Sequence, residues 1–296
     1  MSASHAEPRS AGVSSEAVCL MYQMVHRLAG RLYGPGSPPR WRRKDGMAHL
    51  RCDFFSDVLG LSTSMTVLLP QTATAQIGVH AVADAGDPPV LYLLHGLSDD
   101  DTIWMRHTSI ERYAAERGLA VIMPQVHRSF YADEAYGNRY WTFLSQELPT
   151  VVHKFFRLSV RREDTFVAGL SMGGYGAVKW ALHQPERFAA AASLSGVLDI
   201  ARRTREAPEM FRSVFGDEPV AETGADVVWL IEHATDVPRL YVCCGTEDPL
   251  YGGGVKFAEI CRDKGIAVTT DFGPGEHDWA YWDAKIQDVL AWMFPA

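Results

Sequence analysis

From residue 52 to the end of the chain, short apolar runs alternate with longer stretches in which apolar residues recur at helical spacing. The predicted strands are Ser64–Leu69, Val90–Leu94, Leu119–Met123, Thr165–Ala168, Ala189–Leu194, Arg239–Cys244 and Ala267–Asp271. The predicted helices are Ile110–Arg117, Glu147–Phe156, Gly174–His183, Val255–Lys264 and Trp279–Trp292. This alternation is typical of an α/β fold with a mostly parallel central sheet and helices on both faces.

Two segments depart from the alternation. Residues 200–236, which are rich in charge, separate two predicted strands and predict a small lid-like insertion over the strand ends where α/β sheets bind ligands. Residues 1–46 carry seven Lys or Arg against three Asp or Glu. Apolar spacing from Ala17 to Leu32 predicts an amphipathic helix there, and Gly34–Pro39 predicts a Pro/Gly/Arg-rich linker. We therefore expect an N-terminal extension over 1–46 and one compact domain over 47–296.

Composition and charge exclude several classes of protein. The net charge is −8 over 296 residues, whereas a nucleic-acid-binding surface needs clustered Lys and Arg. No apolar run reaches the ~20 residues that span a bilayer. The five cysteines show neither disulfide nor zinc-ligand spacing, so we expect no metal and a reducing, cytoplasmic location.

The strongest chemical motif is Gly169-Leu170-Ser171-Met172-Gly173, which lies between a predicted strand and a predicted helix. This context is that of a nucleophile elbow, a sharp turn that exposes a serine above the sheet. Glycine at 169 and 173 removes side chains that would clash in such a turn. Ser171 is therefore the predicted nucleophile.

A serine nucleophile needs a base, and the base needs an orienting acid. In this architecture the acid and then the histidine follow the serine along the chain, and His277 is the only histidine after residue 233. Asp248, just beyond the strand Arg239–Cys244, is the predicted acid. Glu247 and Asp199 are the alternative carboxylates.

An oxyanion hole requires two N–H donors near the serine. The backbone N–H of Met172 follows the nucleophile directly, and that of Leu97 lies in the loop after Val90–Leu94. We expect these two groups to form the hole. The neighbouring His95 is interpreted as a structural side chain hydrogen-bonded within its loop.

Several motifs resemble those of the tributyrin-esterase and esterase-D branch of the α/β-hydrolases, from about residue 50 to 294. They are Val90–Gly96, Phe130-Tyr131, Tyr136-Gly137, Glu147–Pro149, Phe166–Ala177, Ser193–Gly196 and Gly273–Trp279. The resemblance implies an α/β-hydrolase fold, a Ser171, Asp248 and His277 triad, and oxyanion donors at Leu97 and Met172. The related S-formylglutathione hydrolases carry a Cys- and Asn-containing stretch where this chain has Ser98–Thr102.

The resulting hypothesis is a serine carboxylesterase that cleaves small short-chain acyl esters through an acyl-enzyme, without a cofactor. Trp104, Tyr251 and Trp279 are candidate walls of the substrate pocket. A thioester hydrolase of the S-formylglutathione type and an acyltransferase are alternatives on the same site, and a catalytically silent binding protein is the alternative outside enzymes. The expected partner is a small-molecule ester, with no nucleic acid and no membrane span, and a homo-oligomer is left open.

Overall fold

The computed structural model describes residues 45–72 and 86–295, in which eight strands form one sheet. The strands are β1 (Asp45–Ser56), β2 (Leu61–Thr72), β3 (Val90–Leu94), β4 (Ala120–Pro124), β5 (Thr165–Leu170), β6 (Ala190–Leu194), β7 (Arg239–Gly245) and β8 (Val268–Gly273). Their order across the sheet is β1-β2-β4-β3-β5-β6-β7-β8. Strand β2 pairs antiparallel with β1 and with β4, and all other neighbours are parallel.

The helices lie between these strands. They are α1 (Ile103–His107), α2 (Ile110–Ala115), α3 (Tyr140–Thr142), α4 (Leu148–Phe155), α5 (Met172–His183), α6 (Ile200–Glu206), α7 (Pro208–Phe215), α8 (Val227–His233), α9 (Tyr251–Asp263) and α10 (Trp279–Met293). A π-helical turn, Phe143–Glu147, joins α3 to α4, and a 3₁₀ turn, Arg162–Asp164, precedes β5.

Two apolar cores lie on opposite faces of the sheet. One contains side chains of α1, α2 and α10, and the other contains side chains of α4, α5, α8 and α9. Strands β3 to β6 are buried along their whole length, because helices cover both sides of them. The predicted mostly parallel α/β architecture with helices on both faces is thus confirmed.

Strand β1 is absent from the sequence prediction. Exposed His49, Arg51 and Asp53 alternate along it with half-buried Leu50 and Cys52. This is the period-two pattern of an edge strand with one solvated face. It lacks the continuous apolar run by which the central strands were recognised.

The insertion after β6 contains α6, α7 and α8 and packs on the segment that precedes α3. The rings of Phe211 and Phe130 have centroids 4.7 Å apart. The backbone N–H groups of Ala135 and Tyr136 donate to carbonyls of α7. A lid function for residues 200–236 stays a prediction.

The predicted helix from Ala17 to Leu32 and the linker at Gly34–Pro39 lie outside the described residues. The predicted domain start at residue 47 falls two residues inside β1, which begins at Asp45. Among the described helices, none combines the length and the apolar composition needed to cross a bilayer.

Candidate active site

Ser171 lies in a sharp turn between β5 and α5. Its φ of 53° and ψ of −115° form a strained backbone conformation that non-glycine residues rarely adopt. A Cβ atom on Gly169 would lie 2.5 Å from the Gly173 carbonyl carbon, and one on Gly173 would overlap the Leu94 carbonyl. Both glycines are therefore required for the turn, as the sequence motif predicts.

The structure brings Ser171, His277 and Asp248 into one hydrogen-bonded chain. The His277 Nε2 atom lies 3.0 Å from Ser171 Oγ, and Nδ1 lies 2.7 Å from Asp248 Oδ2. The imidazole is 30% exposed, whereas the Asp248 side chain is fully buried. The imidazole is thus hydrogen-bonded to the serine and still partly accessible, while Asp248 is shielded from water.

Asp248 is held as a carboxylate by its hydrogen bonds. Burial alone would raise the pKa of the Asp248 carboxyl, but hydrogen bonds from the His277 ring and from the Leu250 N–H hold that pKa below its ordinary value. An ionised carboxylate at this position accepts a hydrogen bond from the His277 Nδ1–H and can stabilise a protonated imidazole.

The loops that carry Asp248 and His277 are joined by hydrogen bonds. The Thr246 N–H donates to the Gly273 carbonyl at 2.8 Å, and the Gly275 N–H donates to the Glu247 carboxylate at 2.7 Å. A Cβ atom on Gly245 would overlap the Gly275 backbone. Glycine at 245 therefore lets the histidine loop cross directly over the end of β7.

The two alternative carboxylates have other partners. Glu247 is exposed and binds the Gly275 N–H and the Thr246 hydroxyl. Asp199 is buried and pairs with Lys256 Nζ at 2.9 Å. Of the three carboxylates considered from the sequence, Asp248 is the one that contacts the His277 ring.

The backbone N–H groups of Leu97 and Met172 are the two predicted oxyanion donors. Within residues 45–72 and 86–295, no protein oxygen accepts a hydrogen bond from either group. Met172 is the first residue of α5, so its N–H is one of the free donors at the positive end of that helix.

His95 is buried in the loop that follows β3, and neither of its ring hydrogen bonds is to Ser171. Its Nδ1 lies 2.7 Å from the Gly96 carbonyl, and its Nε2 accepts the Val126 N–H at 3.2 Å. Burial lowers the pKa of His95, which keeps the ring neutral. These bonds agree with its interpretation as a structural histidine.

The three candidate pocket aromatics differ in burial. Trp104 is 1% exposed and donates its Nε1–H to the Leu94 carbonyl, so in this structure it is a core residue without surface for a substrate. Trp279 is half-buried with its ring 5.4 Å from that of Trp104. Tyr251 is half-buried and packs edge-on against Phe272. Tyr251 and Trp279 therefore keep accessible surface, whereas Trp104 does not.

Sequence reasoning missed two buried residues next to the triad. The Trp282 ring lies edge-on to His277 with centroids 4.9 Å apart, and its Nε1–H donates to Ser195 Oγ at 3.1 Å. Ser195 is fully buried with a φ of 49°. The only signal for Ser195 was the Ser193–Gly196 motif, and Trp282 was hidden within the apolar pattern of a helix.

No metal-binding cluster of His, Cys, Asp or Glu is found in the part of the chain that the structure describes. The chemical groups that the structure brings together here are a strained serine, an imidazole and a buried carboxylate, with the Met172 N–H directly after the serine. This set of groups is suited to acyl transfer through a serine nucleophile.

The sheet order and the serine turn after β5 define an α/β-hydrolase. The family model described as "Putative esterase" matches residues 56–293. The chain belongs to this esterase family, and it is an enzyme of the carboxylic ester hydrolase class. The resemblance to an esterase-D-like family is confirmed.

Individual relatives agree with this assignment. An acetyl esterase of Caldicellulosiruptor saccharolyticus is 28% identical over 262 residues, covering 83% of this chain and 98% of the relative. The fluorophosphonate-binding serine hydrolase FphF of Staphylococcus aureus is 36% identical with a TM-score of 0.75, covering 84% of this chain and 98% of its own. The S-formylglutathione hydrolase FrmB of Staphylococcus aureus is 37% identical with a TM-score of 0.71, covering 83% and 98%.

Proposed function

We propose that this enzyme hydrolyses small short-chain acyl esters through an acyl-enzyme on Ser171. The observation that carries the proposal is the continuous hydrogen-bonded chain from Ser171 Oγ through the His277 ring to Asp248. The acetyl esterase and the serine hydrolase among its relatives support the same chemistry.

The reaction begins when Ser171 Oγ attacks the ester carbonyl and His277 Nε2 takes the hydroxyl proton. The N–H groups of Leu97 and Met172 donate to the oxyanion of the tetrahedral intermediate. The protonated imidazole then gives its proton to the leaving alcohol, and an acyl ester remains on Ser171. Water activated by His277 hydrolyses that ester and restores the enzyme, with Asp248 stabilising the imidazolium in both halves.

The substrate pocket includes the exposed surfaces of Tyr251 and Trp279. Both residues follow the triad loops closely, Tyr251 three positions after Asp248 and Trp279 two positions after His277. Their rings provide apolar walls for an acyl or alcohol group. Trp104 packs edge-on against Trp279 and, being buried, does not line this pocket.

Thioester hydrolysis is the second candidate, supported by the S-formylglutathione hydrolase among the relatives. Arg202 and Arg203 lie on the rim of a shallow cleft next to the Asp248 loop, and both pair with Glu206. Guanidinium groups at this rim could bind the carboxylates of a glutathione conjugate. The acyl chemistry at Ser171 would be the same for both substrates.

The protein is also proposed to function in the cytoplasm and without a cofactor. The four cysteines in the described residues are free thiols, and three of them are buried. This usage is typical of a reducing compartment.

The first prediction is that Ser171→Ala abolishes both ester turnover and labelling by a fluorophosphonate. Loss of the nucleophile should lower kcat by several orders of magnitude because no other group at the site can form the acyl-enzyme. The measurement is hydrolysis of p-nitrophenyl acetate, butyrate and octanoate beside S-formylglutathione, with Ser213→Ala as a surface-serine control. The proposal predicts the highest kcat/KM for acetate or butyrate.

Two results would contradict it. Turnover or labelling that survives in Ser171→Ala would exclude Ser171 as the nucleophile. A kcat/KM for S-formylglutathione far above that for every oxygen ester would replace the esterase by the thioester hydrolase.

A further inference from the structure

The two proposed oxyanion donors lie on separate elements of the fold. Met172 begins helix α5, whereas Leu97 lies in the loop after β3. Both N–H groups must reach one developing oxyanion at ~2.7–3.1 Å. Catalysis therefore depends on whatever fixes this loop relative to the helix.

The His95 ring fixes the peptide that carries the first donor. The Gly96 carbonyl and the Leu97 N–H belong to the same planar peptide unit. Because His95 Nε2 accepts the Val126 N–H, its proton is on Nδ1 and is donated to the Gly96 carbonyl at 2.7 Å. This bond orients the peptide and polarises its N–H as a donor.

Tyr131 connects the same loop to helix α5. Its hydroxyl donates to the His95 carbonyl at 2.8 Å, and the side chain is fully buried. Its ring packs directly on the helix, where a Cβ atom on Gly176 would lie 2.5 Å from ring atom Cδ2. One side chain therefore contacts both the loop and the helix that carry the two donors.

Lys179 holds the backbone of Tyr131 in turn. Its Nζ donates to the Tyr131 carbonyl at 3.0 Å, and Tyr131 has a left-handed φ of 51°. Lys179 lies two helical turns after Met172 on the same helix, is 3% exposed, and has its ammonium 4.4 Å from the Trp141 ring centroid.

The burial of Lys179 is energetically costly. No carboxylate of the described residues lies within 4.0 Å of its Nζ. Burial accordingly lowers the pKa of Lys179 to about 7, against the weaker attraction of Asp133. An apolar residue of the same volume would often be as stable at such a position. A buried lysine without an ion-pair partner therefore indicates a role beyond stability.

We propose that Tyr131, held by Lys179, is a positioning residue that sets the separation of the two oxyanion donors through the His95 loop. The proposal rests on the proposed function, in which Leu97 and Met172 bind the oxyanion. Tyr131 acts on the transition state and not on substrate binding, since its side chain is fully buried and its hydroxyl is bonded to the His95 carbonyl.

The second prediction tests this role with Tyr131→Phe, which removes only the hydroxyl. A small displacement of an oxyanion donor should lower kcat between about tenfold and a hundredfold, with KM nearly unchanged. The inhibition constant of a trifluoromethyl ketone, which forms a tetrahedral oxyanion adduct on serine, should rise by the same factor as kcat/KM falls. Rates are expressed per active site titrated with a fluorophosphonate, so unfolded protein does not contribute.

Tyr113→Phe is the matched control. Tyr113 is also buried, but its hydroxyl donates to Asp283 on the other face of the sheet. This variant should lose stability without changing kcat or the inhibition constant. Lys179→Met is the second test variant. Like Tyr131→Phe, it should lower kcat and raise the inhibition constant of the trifluoromethyl ketone. It tests the proposal also if Tyr131→Phe does not fold.

The outcomes separate this proposal from the proposed function. Wild-type kcat in Tyr131→Phe, or a lower kcat with an unchanged inhibition constant, would overturn the positioning role while an inactive Ser171→Ala still supports the triad. Turnover that persists in Ser171→Ala would instead overturn the proposed function itself.

Discussion

At the scale of single residues, Asp248 differs from Glu247 and Asp199 in its partner. It alone of the three contacts His277, with Oδ2 at 2.7 Å from Nδ1. The third prediction is that Asp248→Asn lowers kcat by about four orders of magnitude, because an amide that donates toward Nδ1 favours the wrong tautomer of the imidazole. The measurement is kcat for p-nitrophenyl acetate together with Tm.

Glu247→Gln and Asp199→Asn are the matched comparisons for that prediction. Glu247→Gln keeps an acceptor for the Gly275 N–H and should retain most of the activity. Asp199→Asn loses an ion pair with Lys256 and should lower Tm more than kcat. If Asp199→Asn were the variant that inactivates the enzyme, the acid would have been assigned to the wrong strand end.

The sequence pointed to Ser171, Asp248 and His277, which the structure joins by hydrogen bonds, but it also placed the core residue Trp104 in the pocket and did not indicate what holds the three in place. Ser171 is marked by its two glycines, and His277 by being the only histidine late in the chain. Trp282 carries no such mark, and Tyr131 is marked only as part of the Phe130-Tyr131 motif, which does not indicate its role. An aromatic residue in an apolar pattern looks the same whether it fills a core or donates a hydrogen bond. The roles of Tyr131 and Trp282 depend on contacts across 36 and 87 residues, which only the folded chain reveals.

At the scale of elements, the ends of β7 and β8 position the acid and the base against each other. Gly245 allows this crossing, since a Cβ atom there would overlap the Gly275 backbone. The fourth prediction is that Gly245→Ala displaces the His277 loop and lowers both kcat and Tm, because backbone atoms cannot yield as a flexible side chain does. Gly252→Ala, where a Cβ atom meets nothing within 4 Å, is the control and should leave kcat unchanged. If Gly245→Ala and Gly252→Ala had the same kcat and Tm, a Cβ atom at position 245 would not displace the His277 loop.

The central elements were predictable because their apolar runs are buried on both faces. The predicted strands Val90–Leu94 and Ala189–Leu194 agree with β3 and β6 to within one residue. The insertion at 200–236 was predicted as a segment, but its three helices were not. Those helices are short, and they pack on different parts of the fold: α7 packs on Phe130, whereas α8 contacts α5 and α9. Their pattern therefore reflects tertiary contacts more than local periodicity.

At the scale of the whole molecule, the elements that carry the site form a single sheet that needs β1 as its edge. Strand β1 pairs with β2 along its full length, from Asp45 opposite Thr72 to Ser56 opposite Leu61. The fifth prediction is that a chain beginning at Arg42 folds and keeps most of its kcat/KM for p-nitrophenyl acetate, whereas a chain beginning at Asp57 loses β1 and fails to fold. Tm and turnover of both chains are compared with those of the full-length protein.

The outcome depends on whether the predicted helix from Ala17 to Leu32 buries its apolar side. Burial of ~300 Å² of apolar surface at ~25 cal/mol per Å² would contribute about 7.5 kcal/mol. That is comparable to the whole stability of a typical domain, ~5–15 kcal/mol, so removing such a contact would lower Tm sharply. An unchanged Tm in the chain from Arg42 would instead show that the sheet and its two cores are stable without residues 1–41. Every residue of the proposed mechanism lies after β3 begins, so a loss of kcat/KM without a loss of Tm would contradict the assignment of the site to this domain alone.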